Sequence, residues 1–180
     1  MMKYSFLAAI AFAVGACAAS APASPHQAAS IEQQATATLN DMYARAPGLR
    51  SLVDSSAGVA VFPNVGAAGA FIAGGAYGKG VLFEHGYPAG YVNLSQGSIG
   101  PQLGGQSFSE LIVLRTNYDV QQMKAGSFKF GAEASAVVLN AGAGVADQIA
   151  AGRTVYIEPR GGLMAGLSVS GQQINFAPRG

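Results

Sequence analysis

The stretch Ala73–Gly80, AGGAYGKG, leads a run of glycines up to a single lysine, residue types that can hold a phosphate. That chemistry needs Gly, four residues, then Gly-Lys and a Ser or Thr, because backbone amides cradle the anion and the hydroxyl reaches magnesium. Ala73 stands where the first glycine should be and Gly80 where the hydroxyl should be. With both features gone, Lys79 reads as a solvated strand residue. Nucleophilic chemistry has no better footing, since Gly105-Gln106-Ser107-Phe108-Ser109 lacks the closing glycine of a nucleophile elbow. The two histidines, His26 and His85, fall in a tether-like segment and in an apparent turn before Gly86. The carboxylates show no metal-ligand spacing. The chain is therefore read as non-enzymatic, with no metal and no cofactor.

One cysteine remains, and its position is informative. Lys3 precedes an apolar run from Phe6 to Ala16, the layout of an export leader and too short to span a membrane as a helix. The run ends in Val14-Gly15-Ala16-Cys17, which resembles the bacterial lipobox, where small residues precede a Cys whose sulfur is acylated before cleavage leaves it as the first residue. Residues 1–16 are accordingly expected to be a lipoprotein signal peptide, and Cys17 the lipidation site; the alternative is ordinary leader cleavage at a small-x-small site such as Ala19-Ser20-Ala21, with Cys17 discarded. Residues 17–29, rich in Ala, Ser and Pro, form a flexible tether. Ala18 after the cysteine, in place of Asp, points to the outer membrane, with the protein facing the periplasm. A lone thiol also excludes a disulfide within the chain.

Charge narrows the partners further. Ten Lys plus Arg stand against nine Asp plus Glu, scattered without runs, so no basic field exists to draw nucleic acid. Half the residues are hydrophobic and 25 of 180 are Gly, a composition that suits packed strands and turns better than disorder. Residues 55–78 carry no charge, a length that matches a bilayer span, and Gly66, Ala70, Gly74 and Gly78 recur every four residues like a helix-packing seam. Pro63-Asn64 interrupts that run, and Val59, Val61, Phe71 and Tyr77 favour strand.

The elements follow from periodicity. From Ser30 on, Ile31, Ala35, Leu39, Met42 and Tyr43 recur at helical spacing, with Glu32, Gln33, Asn40 and Asp41 between them, and Pro47-Gly48 ends the helix. Its apolar face serves either the core or a lipid surface. As a strand, the glycine-rich stretch puts Phe71, Ala73, Gly75, Tyr77, Lys79, Val81 and Phe83 on one face. Ile72, Gly74, Ala76, Gly78, Gly80 and Leu82 lie opposite, on a face bare enough for another backbone to approach. Gly66, Gly69, Gly74, Gly75, Gly78 and Gly80 are the expected structural glycines. Further strands are expected at 90–94, 102–107, 110–115, 128–139, 154–158 and 163–170, with a short second helix from an Asn117 cap through Met123. The fold class is α+β: a β-rich antiparallel sheet or barrel with an N-terminal amphipathic helix, one domain over residues 30–180.

Four segments carry a family resemblance in the same order: VAVFPNVGAAGAFIAGGAYGKGVLF, GYVNLSQGSIGPQLGGQS, FKFGAEASAVV and GGLMAGLSVSG. Together they resemble the SYLF domain, a family of lipid-binding domains, over about 52–176. The resemblance implies a β-rich, non-catalytic domain that binds phospholipid. In VYIEPRG, before the last segment, only Tyr156 and Arg160 keep the residue types common there in the family. Actin binding, known for some eukaryotic relatives, finds no matching residues. The expected function is a phospholipid-binding outer-membrane lipoprotein supporting the envelope, with Ile31, Leu39, Met42 and Tyr43 as the lipid-contacting candidates. Two alternatives stand beside it: a structural protein that inserts residues 55–78 into the membrane, and a partner-binding module that uses lipid only as an anchor.

Overall fold

Ser24 sets the start of the first helix, because its side chain accepts a hydrogen bond from the Gln27 amide and Pro25 is pre-shaped for the first helical position. The computed structural model describes residues 21–126, 128, 135–139, 154–164 and 171–180. Helix α1 spans Pro25–Arg45, starting five residues before the Ser30 that spacing alone indicates. Ala28 and Ala29 are strong helix formers and extend the element backwards. Helix α2, Gly48–Asp54, follows Pro47 at once and anchors through the fully buried Leu49.

Strands β1 (Gly58–Glu84) and β2 (Tyr87–Leu114) form one long antiparallel hairpin. His85 (φ 50°) and Gly86 (φ 84°) turn the chain, the two consecutive positive φ values that a tight hairpin requires. The expected separate strands at 90–94, 102–107 and 110–115 are thus stretches of β2. Gly100 and Pro101 do not break it: Ala73 pairs with Ile99 and Phe71 with Gln102, so the punctuation becomes a bulge. The uncharged run 55–78 is mostly β1, and among the described residues no helix is long and apolar enough to cross a membrane.

Helix α3, Asn117–Lys124, is capped by Thr116 rather than by Asn117, through a reciprocal box with Asp119. Strands β3 (Ser135–Val138), β4 (Thr154–Met164) and β5 (Gln172–Pro178) complete the sheet. The order is β1-β2-β4-β3, with β5 also on β2. The described pairs are antiparallel except β3 with β4, which is parallel. The architecture is α+β. β5 was not legible in the sequence, and of the expected strands at 128–139 and 163–170, residues 129–134 and 165–170 lie outside the described residues.

Both faces of the sheet are covered. On one, Phe62, Leu82, Leu94, Phe108, Ile112 and Ile174 pack together, with Val120 and Met123 of α3 over them. On the other, Val59, Val61, Val81, Phe83, Leu111 and Tyr156 meet Ala35, Met42, Ala46 and Leu49 of the N-terminal helices. Strand β1 bends so that its two halves approach. A Cβ on Gly58 would lie 2.8 Å from the Phe83 carbonyl, one on Gly78 would lie 2.8 Å from Val65, and one on Gly80 would lie 2.3 Å from the Val61 carbonyl. Gly78 and Gly80 belong to the bare face read from the alternation, and what approaches them is the same strand. Helices, strands and both core clusters all lie at or after Pro25, so the chain from Ala18 onward holds the complete described fold.

Candidate functional site

Helix α1 lies along the sheet with its apolar stripe facing inward, and this decides where the candidate lipid contacts sit. Met42 is fully buried. Ile31, Leu39 and Tyr43 are half-buried, packed against the same cluster at its margins. They form walls of two clefts. Leu39 and Tyr43 face Val53, Val59 and Phe83 in a cleft of about 410 Å³ that ends at the His85-Gly86 turn. Ile31 lines a second cleft, of about 290 Å³, with His26, Lys79, Tyr91 and Asn93. The Arg50 guanidinium stacks over the Tyr43 ring at 4.6 Å, and burial raises the Tyr43 pKa, with nearby Asp54 adding to the effect.

The underside of α1 is fastened by polar contacts that the sequence pattern did not indicate. Glu158 on β4, nearly buried, pairs with Arg45 and lies 3.9 Å from Arg160. Arg160 donates to the hydroxyls of Ser109 and Thr38, the latter at 3.2 Å, while Ser109 donates to the Pro63 carbonyl at 2.8 Å. Arg160 on β4 therefore ties α1 to β2, and Ser109 carries the link on to β1. Glu32, which helical spacing places on the polar face, accepts from the Tyr91 hydroxyl at 2.9 Å and pairs with Arg179 at 3.0 Å. The Tyr91 pKa is raised by burial first and by Glu32 second.

On the opposite face of β2, Glu110 is fully buried and accepts one hydrogen bond, from Gln172 at 3.0 Å. Burial pushes its pKa up to about 7 against an ordinary value of 4.5, with the Gln172 bond opposing the shift. Tyr156, one of the two residues kept from the family segment, is fully buried, and its hydroxyl has no hydrogen-bond partner among the described residues.

Of the other residues singled out from the sequence, Cys17 lies outside the described residues. A Cβ at Gly66 would meet nothing within 4 Å, and one at Gly75 would reach the Gln96 carbonyl at 3.0 Å. Gly69 and Gly74 are half-buried in β1. His85 is exposed at the hairpin turn. Among the described residues no group of three or more His, Cys, Asp or Glu gathers as a metal site. Glu158, Ser109 and Glu110 went unnoticed because a polar residue in an alternating strand reads as solvent-facing, whereas this sheet is covered on both sides.

Comparison with known families supports the motif resemblance. Residues 95–178 match the Ysc84 family model, described as Las17-binding protein actin regulator, and this stretch overlaps the later segments of the SYLF resemblance. No curated protein matches the chain significantly.

Proposed function

We propose that this chain is a non-catalytic phospholipid-binding protein, anchored through acylated Cys17 to the outer membrane, where it faces the periplasm and supports the envelope. The observation that carries the reading is the pair of clefts along α1. They leave Ile31, Leu39 and Tyr43 reachable at the margin of a helix whose central residues, Ala35 and Met42, are closed off. In this reading the lipid meets cleft walls, and the helix stays seated on the sheet. The SYLF resemblance of the motifs implies the ligand class, and the family match at 95–178 is consistent with that resemblance. Near-balanced charge over the chain makes apolar contact the main source of affinity.

Two variants test the apolar contact. Leu39→Asp and Tyr43→Ser, each confirmed folded by circular dichroism, should weaken co-sedimentation of the chain from Ala18 with phospholipid vesicles. Unchanged binding in both folded variants contradicts the cleft mechanism. Anchoring is tested separately: wild type should incorporate labelled fatty acid and Cys17→Ser should not, and label retained in the Ser variant refutes acylation at that residue.

A further inference from the structure

Glu110 and Gln172 form a buried polar pair on an otherwise apolar face of the sheet. On β2, Glu110 stands between Phe108 and Ile112 on that face, and its ladder neighbours are Phe62 of β1 and Ile157 of β4. All four belong to one apolar cluster. Gln172 opens β5, opposite Gln96 in the other half of β2, and is 2 % exposed. One hydrogen bond joins the pair, from Gln172 Nε2 to Glu110 Oε2 at 3.0 Å, across 62 residues of chain. Through β5 it ties the two halves of β2 to each other.

The remaining oxygen of each group is bare. Glu110 Oε1 and Gln172 Oε1 are both buried without a hydrogen-bond partner among the described residues. A buried acceptor in that position is costly unless a donor meets it. The charged groups of the elements packed on this face are engaged elsewhere. Glu84 of β1 pairs with Lys124 of α3, and Asp119 closes the cap of α3. Glu158 and Arg160 of β4 serve α1 on the opposite face, and Lys79 of β1 lines a cleft along α1. Strands β3 and β5 contain no charged residue, and Glu110 is the one charged residue of β2. Among the tyrosines, Tyr77, Tyr87 and Tyr118 are exposed, while Tyr91 and Tyr156 belong to the opposite cluster. A single proton supplies what is missing. A carboxylic acid facing a primary amide closes a ring of two hydrogen bonds, with the acid O–H donating to the amide oxygen and the amide N–H to the acid's other oxygen. Burial acts in the same direction, raising the Glu110 pKa to about 7.

We infer that Glu110 and Gln172 are a proton-operated clasp: with the proton on Glu110 the start of β5 is locked across the folded hairpin, and when that proton leaves to water the start of β5 comes free. The device is independent of what the clefts along α1 bind. Its effect is local to one end of the sheet. Gln96, the ladder partner of Gln172, lines an open groove of about 570 Å³ together with Ala67 and Ala76, which also pack on the Phe62 cluster. Release of β5 extends that groove toward Ile174. The freed Glu110 is an ordinary carboxylate, so opening gives up a proton between about 4.5 and about 7. In that window each pH unit makes opening up to about tenfold easier, and above it the effect levels off.

The test is residue-resolved amide hydrogen exchange by NMR on the chain from Ala18, at pH 5, 6, 7 and 8, with each rate divided by that of the unfolded chain at the same pH. Protection of the β5 amides should fall by up to about tenfold per unit from pH 5 to 7 and level off by pH 8. Dilute urea separates a local opening from global unfolding, because only the latter exposes much new surface. At pH 8 the β5 amides should exchange at rates that urea barely changes, while the Val59–Phe62 amides of β1 speed up with urea. If β5 and β1 exchange together with the same urea response, the pair acts only on global stability and the clasp is wrong. Glu110→Gln keeps the shape and can close the same two-bond ring with no proton to lose. Its β5 protection should stay flat with pH, and a fall like that of wild type overturns the inference. Infrared spectra of wild type locate the proton directly. A protonated-carboxyl band should be present at pH 6, gone at pH 9 and missing from Glu110→Gln; a wild type without it at pH 6 has an ionised Glu110 and no clasp.

Discussion

Adding one carbon to Gly80 tests how the long hairpin is built. In Gly80→Ala the new Cβ would lie 2.3 Å from the Val61 carbonyl oxygen and 2.8 Å from Cδ1 of Phe62. Ordinary contact begins near 3.4 Å, so the first overlap is about 1 Å. The atom it strikes is backbone, which cannot rotate away, and Val61 is fixed in the β1–β2 ladder opposite Leu111. Relief requires the two halves of β1 to separate, which loosens the packing of Phe62 and Leu82 beneath them. Overpacking of this kind costs roughly 1–3 kcal/mol. At about 2–4 °C per kcal/mol for a domain of this size, the melting temperature should fall by several degrees. Gly66→Ala on the same strand is the matched control, because nothing lies within 4 Å of its new carbon. Reduced freedom of the unfolded chain should leave that variant neutral or more stable by about 0.4–1 kcal/mol. Thermal unfolding by circular dichroism and urea titration of the chain from Ala18 read both. A Gly80→Ala protein as stable as wild type, or a Gly66→Ala loss of equal size, refutes the close approach.

Glu110 gives a pH prediction. Its folded pKa lies above its unfolded value, so the stability it contributes is complete below about 4.5 and is lost as pH rises through about 7. Glu110→Gln should remove that fall and be more stable than wild type at pH 8 by up to roughly 3 kcal/mol; urea midpoints at pH 5 and 8 measure it, and an identical pH profile counts against the assignment. Arg45→Ala leaves the nearly buried Glu158 with Arg160, at 3.9 Å, as its one cation among the described residues, and should cost about 1–3 kcal/mol, read as a lower urea midpoint. Thr116→Ala removes the reciprocal cap of α3 and should cost about 1 kcal/mol, whereas Asn117→Ala should change the melting temperature little.

Periodicity made α1 legible, since Ile31, Ala35, Leu39 and Met42 recur at the spacing that one buried helix face demands, and all four meet the sheet. The hairpin was legible in its alternation but not in its length. Gly100 and Pro101 fall between two of the expected strands, yet the pairing of β1 with β2 continues past them as a bulge. β4 was read as ending at Glu158 because Pro159 and Gly161 follow; it continues on the ladder of β2 to Met164. For the site, the half-buried margins of α1 were visible as Ile31, Leu39 and Tyr43. Glu32 was not, because its role arises where α1 crosses β2, with 59 residues separating it from Tyr91. No local spacing encodes such a meeting.

The central claim is that the folded domain binds phospholipid without help from an acyl anchor. Flotation of the chain from Ala18 with phosphatidylcholine–phosphatidylglycerol vesicles across a salt series tests it most directly. Exposed charges are screened over about 8 Å at physiological ionic strength and over shorter distances as salt rises. Any charge-driven part of the binding should therefore shrink with salt, while the contact made by Leu39, Tyr43 and Ile31 persists. A protein that floats with the vesicles at every salt concentration is the predicted result. A folded protein that stays at the bottom of the gradient, or that leaves the vesicles completely at high salt, contradicts the account.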